Sequence, residues 1–300
     1  MRPHGVLAPL TTPFERDRVA PARLRENIAR YESAGLGGYL LFGSSGEAPL
    51  LSEPEKVHLL AAARDAVPGG KPLIVGTGLE STDATISLGR RAADGGADLL
   101  LVLTPHYYSS QMTPPALEEH YTRVADASAL PLLLYSVPRF TGVEIPVESV
   151  IALSRHERIV GIKDSAGDVG RLARQQLETP ADFLVICGSH RAALGAAGAG
   201  IESAILAAAN PFAAAYRETF RLAVAGETVA AQRLHERLAP VSDRVVSRLG
   251  VPGIKAAMDL SGLYGGPPRA PLLPVEEETK RELQLQIDAL GDSAQASSRD

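Results

Sequence analysis

The chain holds one cysteine in 300 residues, Cys187, so it can close no internal disulfide, and the stapled frameworks of small secreted domains are excluded. Basic clusters are missing as well. A formal net charge of -5 at pH 7 argues against nucleic acid or an anionic membrane as partner and leaves a small neutral or anionic metabolite. Uninterrupted apolar runs of membrane length are absent: the Ala-rich stretch from Ala192 to Ala215 is broken by Glu202, Asn210 and Pro211. The segment Met1-Arg2-Pro3-His4-Gly5 lacks the apolar core of a signal peptide, so a cytoplasmic location is expected. The seven histidines, His4, His58, His106, His120, His156, His190 and His235, show no paired zinc spacing, and no metal is expected. Lysine, finally, is scarce: Lys56, Lys71, Lys163, Lys255 and Lys280 are five of 30 Lys and Arg residues.

That scarcity draws attention to Lys163, in Ile159-Val160-Gly161-Ile162-Lys163-Asp164-Ser165. An apolar β-branched run reads as a buried strand, and a lysine at its carboxyl end sets an amine at the edge of an apolar core. Desolvation disfavours an ammonium ion, so such an amine can attack a ketone and form a Schiff base. The bland alternative is a lysine that snorkels out of a strand end. Lys56 lies among polar helix residues, Lys71 precedes a proline, Lys280 sits in a charged terminal helix, and Lys255 opens a helix and reads as structural. Cys187 closes the run Phe183-Leu184-Val185-Ile186-Cys187 and reads as core packing.

A hydrophobic content of 45% over this length supports one large core. Short apolar runs recur at Gly5–Leu10, Gly38–Phe42, Pro72–Val75, Asp98–Leu103, Leu132–Tyr135, Ile159–Lys163, Phe183–Cys187 and Ser203–Leu206. Stretches of helical spacing lie between them, such as Ala22–Ala34, Glu53–Ala66, Thr82–Gly95, Pro115–Ala127 and Asp168–Gln176. Eight alternations of strand and helix predict a parallel (β/α)8 barrel over residues 1–210. Residues 211–290 read as a C-terminal extension of about three helices, broken at Gly226, at Gly250–Gly253 and at Tyr264–Pro268. Residues 291–300 read as an unstructured tail.

A barrel gathers its chemistry at the carboxyl ends of its strands. There the sequence offers Gly43-Ser44-Ser45-Gly46-Glu47 after the second run, Tyr135-Ser136-Val137-Pro138 after the fifth and Lys163 after the sixth. Together with Thr11-Thr12-Pro13-Phe14, Gly76-Thr77-Gly78 and Thr104-Pro105-His106-Tyr107-Tyr108, in that order and spacing, the chain resembles the dihydrodipicolinate synthase and N-acetylneuraminate lyase family, from about Ala8 to Leu290. Within the family it is most similar to the aldolases that cleave 4-hydroxy-2-oxoglutarate, through Glu80-Ser81-Thr82, Gly167-Asp168-Val169 and Tyr264-Gly265-Gly266-Pro267-Pro268-Arg269-Ala270-Pro271.

The resemblance implies a class I aldolase without cofactor, in which Lys163 forms an imine with the 2-keto acid and Tyr135 moves the proton of the hydroxyl two carbons away. It implies a relay with Ser45 as first partner of Tyr135 and Tyr107 as second, the latter supplied across a subunit interface of a dimer or tetramer. Ser44 and Ser45 would hold the substrate carboxylate, and Gly188 and Ile205 would line the pocket. The expected reaction is cleavage of 4-hydroxy-2-oxoglutarate to pyruvate and glyoxylate. The alternatives are condensation of pyruvate with aspartate semialdehyde, as in the synthases, and cleavage of a sugar-derived 2-keto-3-deoxy acid. Synthases carry an arginine two residues after the proline of the Tyr135 motif. Phe140 stands there instead, and the one-residue shift is expected to point Arg139 away from the pocket.

Overall fold

The structure is a computed structural model and describes residues 2–296. Strands run over Gly5–Pro9 (β1), Phe14–Glu15 (β2), Arg18–Val19 (β3), Tyr39–Leu41 (β4), Leu73–Gly76 (β5), Leu99–Leu103 (β6), Leu132–Ser136 (β7), Ile159–Asp164 (β8), Leu184–Cys187 (β9) and Ser203–Ile205 (β10). Among the described residues, all but β2 and β3 close into one parallel barrel in the order β1-β10-β9-β8-β7-β6-β5-β4. Each coincides with one of the eight apolar runs, and β5, β7 and β8 extend one residue beyond theirs, to Gly76, Ser136 and Asp164. The remaining pair is a small antiparallel hairpin that the sequence reading does not include, because two-residue strands show no periodicity.

Alternation along the strands makes two cores. Leu7, Leu40, Ile74, Leu99, Leu101, Leu133, Ile186 and Ile205 fill the barrel, while Val6, Tyr39, Val75, Val102, Leu134 and Val185 pack outward against helices. Those helices are Pro21–Ala34 (α1), Glu53–Ala66 (α2), Thr82–Asp94 (α3), Pro114–Asp126 (α4), Pro138–Thr141 (α5), Val147–Leu153 (α6), Val169–Glu178 (α7), Ala193–Gly198 (α8) and Ala213–Val224 (α9). Their starts follow ordinary capping chemistry. Ser52 and Glu55 form a capping box on α2, Ser81 accepts the amide of Ala84 on α3, and Asp168 accepts that of Arg171 on α7.

Past the barrel, Thr228–Ser242 (α10) runs into a π-helical stretch at Asp243–Arg248, then come Gly250–Leu260 (α11) and Glu277–Ala296 (α12). Two expectations need correction. Helix α9 packs on β1, α1 and α8 and so completes the ring, which moves the start of the extension from residue 211 to α10. The tail expected from Gly291 begins inside α12, whose helix continues to Ala296; residues 297–300 lie outside the described residues. Cys187 is fully buried, and desolvation pushes its thiol up to about 11, in keeping with packing. No helix among the described residues is long and apolar enough to cross a membrane.

One buried histidine links this packing to pH. His120 of α4 is 6% exposed, its Nδ1 lies 2.9 Å from Thr82 Oγ1, and its Nε2 meets no partner among the described residues. Burial, with a smaller push from Arg123, holds its pKa down at about 4. The unfolded chain therefore binds the extra proton first, and this histidine's contribution is complete above pH 6.5 and is lost as the pH falls towards 4. Over that window the wild type is expected to lose on the order of 3 kcal/mol more than His120→Gln, read from urea unfolding at several pH values.

Candidate active site

Three strand ends supply the central side chains. In the β7–β8 pairing Tyr135 stands opposite Lys163, and in the β8–β9 pairing Lys163 stands opposite Ile186, so Lys163 belongs to the same inward layer as both. Lys163 is 4% exposed, and its Nζ lies 4.3 Å from the centre of the Tyr135 ring. The strand can come this close because of Gly161. A Cβ there would lie 2.5 Å from the carbonyl oxygen of Leu184 and 2.9 Å from Leu133 Cδ2.

The serines come from the turn after β4. Ser44–Gly46 makes one 3-10 turn, and Glu47 closes it in the left-handed region at φ 55°. The hydroxyl of Thr12 donates to the carbonyl of Gly46 at 2.6 Å, which gives the Thr11–Phe14 motif a structural reason. Ser44 Oγ lies 3.4 Å from the Tyr135 hydroxyl. This corrects the expected relay: Ser44, not Ser45, faces the phenol, because the 3-10 turn sends adjacent side chains in different directions. Ser45 is buried and lines the same cavity.

That cavity has a volume of about 320 Å³ and is lined by Ser44, Ser45, Tyr135, Lys163, Gly188 and Ile205 among others, so six of the seven expected site residues meet in one place. At Gly188 a Cβ would come within 1.9 Å of Ser165 Oγ and 3.0 Å of the Asp164 carbonyl oxygen, so a side chain there would require the Ser165 hydroxyl to turn away. Tyr107 is the exception. It is 77% exposed, stacks edge-on against Tyr108 with ring centres 5.0 Å apart, and does not line the cavity in its own chain. Glu80 fixes its loop by accepting the amides of His106 and Tyr107, both at 2.9 Å. On the far side of Tyr135 and Ser44 a second cavity, of about 420 Å³, is bordered by Lys56, Glu80 and His106. A larger one of about 480 Å³ opens at the amino ends of the strands, near His4 and Arg217, away from the gathered side chains.

The mouth also differs from expectation. Arg139 does line the cavity, with its guanidinium donating to the carbonyl of Ser247 at 2.5 Å. Short helix α5 holds the residue at the cavity edge, where it stays exposed, and the π stretch provides the acceptor. There the bond from the Leu249 amide to the Arg244 carbonyl spans five residues, and Gly250 at φ 65° ends the run, so the Ser247 carbonyl is free for a side chain. Phe140 is exposed beside it. His190 and Arg191 complete this edge by sharing Asp243, at 2.8 and 2.6 Å. Burial lowers the His190 pKa, and Asp243 opposes that shift. These partners are far apart in sequence, and the sequence reading does not find them.

An amine, a phenol and two hydroxyls around a half-closed cavity suit imine chemistry on a small keto acid. The sequence profile of the dihydrodipicolinate synthetase family matches residues 2–290. The chain belongs to this family. It is thereby an enzyme of the class I, pyruvate-dependent aldolase kind, a carbon–carbon lyase. Its sequence is 32% identical over 292 residues to a 4-hydroxy-tetrahydrodipicolinate synthase of Methanopyrus kandleri, covering 96% of each chain. A dihydrodipicolinate synthase from Bacillus anthracis superposes with a TM-score of 0.91 at 30% identity, over 96% of this chain and 98% of that one. A chloride-inhibited dihydrodipicolinate synthase from Acinetobacter baumannii, complexed with pyruvate, reaches 0.91 at 29%, over 97% and 99%. These family relatives bear the synthase name, and so favour the alternative over the expected 4-hydroxy-2-oxoglutarate aldolase.

Gly161 provides a test of how tightly the site is built. Gly161→Ala is expected to cost roughly 1–3 kcal/mol, as overpacking does, read as a lower urea midpoint. An unchanged midpoint would mean that β8 and β9 have slack beside Lys163.

Proposed function

We propose that the chain joins pyruvate to, or releases it from, an aldehyde that carries a carboxylate, with condensation onto aspartate semialdehyde to give 4-hydroxy-tetrahydrodipicolinate as the first reading. The observation that carries the general reading is the Lys163–Tyr135–Ser44 cluster at one cavity. The Lys163 amine adds to the keto carbon of pyruvate and water leaves, giving a protonated imine. Loss of a methyl proton makes the enamine, whose carbon attacks the aldehyde, while the Tyr135 hydroxyl protonates the new alkoxide. With aspartate semialdehyde as acceptor, its own amine then displaces the Lys163 amine from the imine and closes the ring; with an acceptor that carries no amine, water hydrolyses the imine and frees Lys163. In the cleavage direction Tyr135 takes the proton from the hydroxyl, and the imine receives the electrons of the breaking C–C bond.

A phenol has a reference pKa near ~10 and needs a hydrogen-bonded partner for proton traffic at neutral pH. Ser44 is the first partner. Tyr107 enters as the second from another copy of the chain: its exposed ring and the open cavity behind Ser44 and Tyr135 support an exchange of tyrosines in a dimer, or in a tetramer made of two dimers. The amides and hydroxyls of Ser44 and Ser45 hold the carboxylate of the keto acid. No metal or other cofactor takes part. Arg139, steadied on the Ser247 carbonyl, grips the acceptor's carboxylate in place of the arginine that Phe140 replaces. The synthase names of the relatives support aspartate semialdehyde as acceptor. Phe140 supports a second reading, cleavage of 4-hydroxy-2-oxoglutarate, because it stands where the synthases carry a carboxylate-binding arginine.

Borohydride with pyruvate is expected to add a reduced pyruvyl group at Lys163 alone, seen by peptide mass spectrometry. Tyr135→Phe is expected to keep this trapping while turnover falls on the order of 10²-fold or more. Trapping at another lysine, or near-normal turnover of Tyr135→Phe, would remove these roles.

The two readings separate in one assay. Pyruvate consumption with aspartate semialdehyde and pyruvate release from 4-hydroxy-2-oxoglutarate are measured on one preparation. The first reading expects the higher kcat/KM for condensation. Arg139→Ala should lower kcat/KM for the preferred substrate about ten- to a hundredfold, the equivalent of losing a charge-assisted hydrogen bond of about 1.5–3 kcal/mol. A small effect on both reactions would leave acceptor recognition to other groups.

A further inference from the structure

Lys255 and the stretch Tyr264–Pro271 have no part in the chemistry above, yet both converge on one carboxylate. Glu47 ends the turn that bears Ser44 and Ser45, at φ 55° and ψ 33°, a left-handed conformation that a residue with a Cβ adopts only when its surroundings impose it. Its side chain turns inward. Oε1 lies 2.6 Å from Lys255 Nζ, with the two side chains 1% and 0% exposed, and Oε2 accepts the amide of Arg269 at 2.7 Å.

The loop locks the pair from behind. Lys255 donates to the carbonyl of Pro267 at 2.8 Å, and its Nζ sits 4.5 Å from the centre of the Phe14 ring. The Arg269 guanidinium covers the same ring at 4.3 Å and is fixed by two bonds to Glu55, at 2.7 and 2.6 Å. Gly265 lies against α11 so closely that a Cβ would come within 1.9 Å of the Lys255 carbonyl oxygen. Lys255 thus sits in mid-helix, not at a helix start as its sequence context suggests. A carboxylate sealed from water requires a partner, so Glu47 can bend its backbone only where Lys255 awaits it.

We infer that Lys255 is a positioning residue for the keto-acid carboxylate: its pairing with Glu47, locked by the Tyr264–Pro271 loop, holds the Ser44–Ser45 turn against the cavity. The inference rests on the proposed role of those serines. Lys163 hangs from a different strand and shares none of these contacts. Loosening the turn therefore weakens capture of the keto acid and leaves imine formation at saturation intact.

The experiment follows borohydride trapping of the full chain across a range of pyruvate concentrations, with thermal midpoints for each variant. Lys255→Met leaves Glu47 buried and unpaired and can unfold the chain, so Glu47→Gln/Lys255→Met, which removes both charges, is measured beside it. The double variant is expected to be folded, to need about tenfold or more pyruvate for half-saturation, and to reach a trapping rate within about twofold of wild type. Lys255→Arg, which keeps the charge, should recover part of the affinity. A folded double variant with wild-type half-saturation, or one that loses only the maximal rate, overturns the inference. So does failure of both variants to fold, which would make the pair a requirement of folding alone. A wild type that pyruvate does not trap refutes the proposed function itself, whereas a trapped wild type with unaffected variants refutes only the role of Lys255.

Discussion

Inside a closed parallel barrel every second residue of each strand faces a space without water, and a polar group can be placed there only at the end of a strand, where the interior meets the mouth. The rest of this site follows from that constraint. Leu133 and Leu184 fill the layer beneath, and the next inward positions bring Tyr135 and Lys163, level with Ile186, to the rim on neighbouring strands. Their closeness is set by register, so no special loop is needed to assemble them. Gly161 lets β8 and β9 approach closely enough for that register to hold.

The serine turn is anchored differently. It hangs beyond β4, outside the hydrogen-bonded ladder, and its geometry comes from Thr12 on one side and the Glu47–Lys255 pair on the other. Buried pairs of this kind add little net stability compared with apolar packing, while breaking one by removing a single partner costs about 3–5 kcal/mol. The pair is best understood as a device for specifying one backbone arrangement. On the proposed reading, the imine chemistry and the capture of the keto acid rely on separate parts of the molecule, one on the barrel and one on the chain that follows it.

The barrel was legible in the sequence because strands buried on both faces appear as short apolar runs, and the longer helices show their 3.6-residue period. Helices such as Pro138–Thr141, Val147–Leu153 and Ala193–Gly198 are too short to show a period, and they stayed hidden. Lys163 and Tyr135 were readable because strand-end position alone determines where they go. The choice between Ser44 and Ser45 was not, since two adjacent hydroxyls on a tight turn look alike until its dihedral angles are known. Arg139 shows a stronger limit: its direction depends on a carbonyl 108 residues further along, and local spacing cannot report on that. For Lys255, the partner Glu47 stood in a motif already noticed, but nothing in the linear order ties the two together.

The π-helical stretch Asp243–Arg248 has a consequence for how such an enzyme can change. Its Ser247 carbonyl steadies Arg139 and its Asp243 ties down His190 and Arg191, so the rim around the substrate is stitched to a segment outside the barrel. Insertions or substitutions there can reshape the opening while the strands and their register stay untouched. On the proposed reading, selection for a new aldehyde can therefore act on the rim without disturbing Lys163, which separates the evolution of choice from the evolution of reactivity.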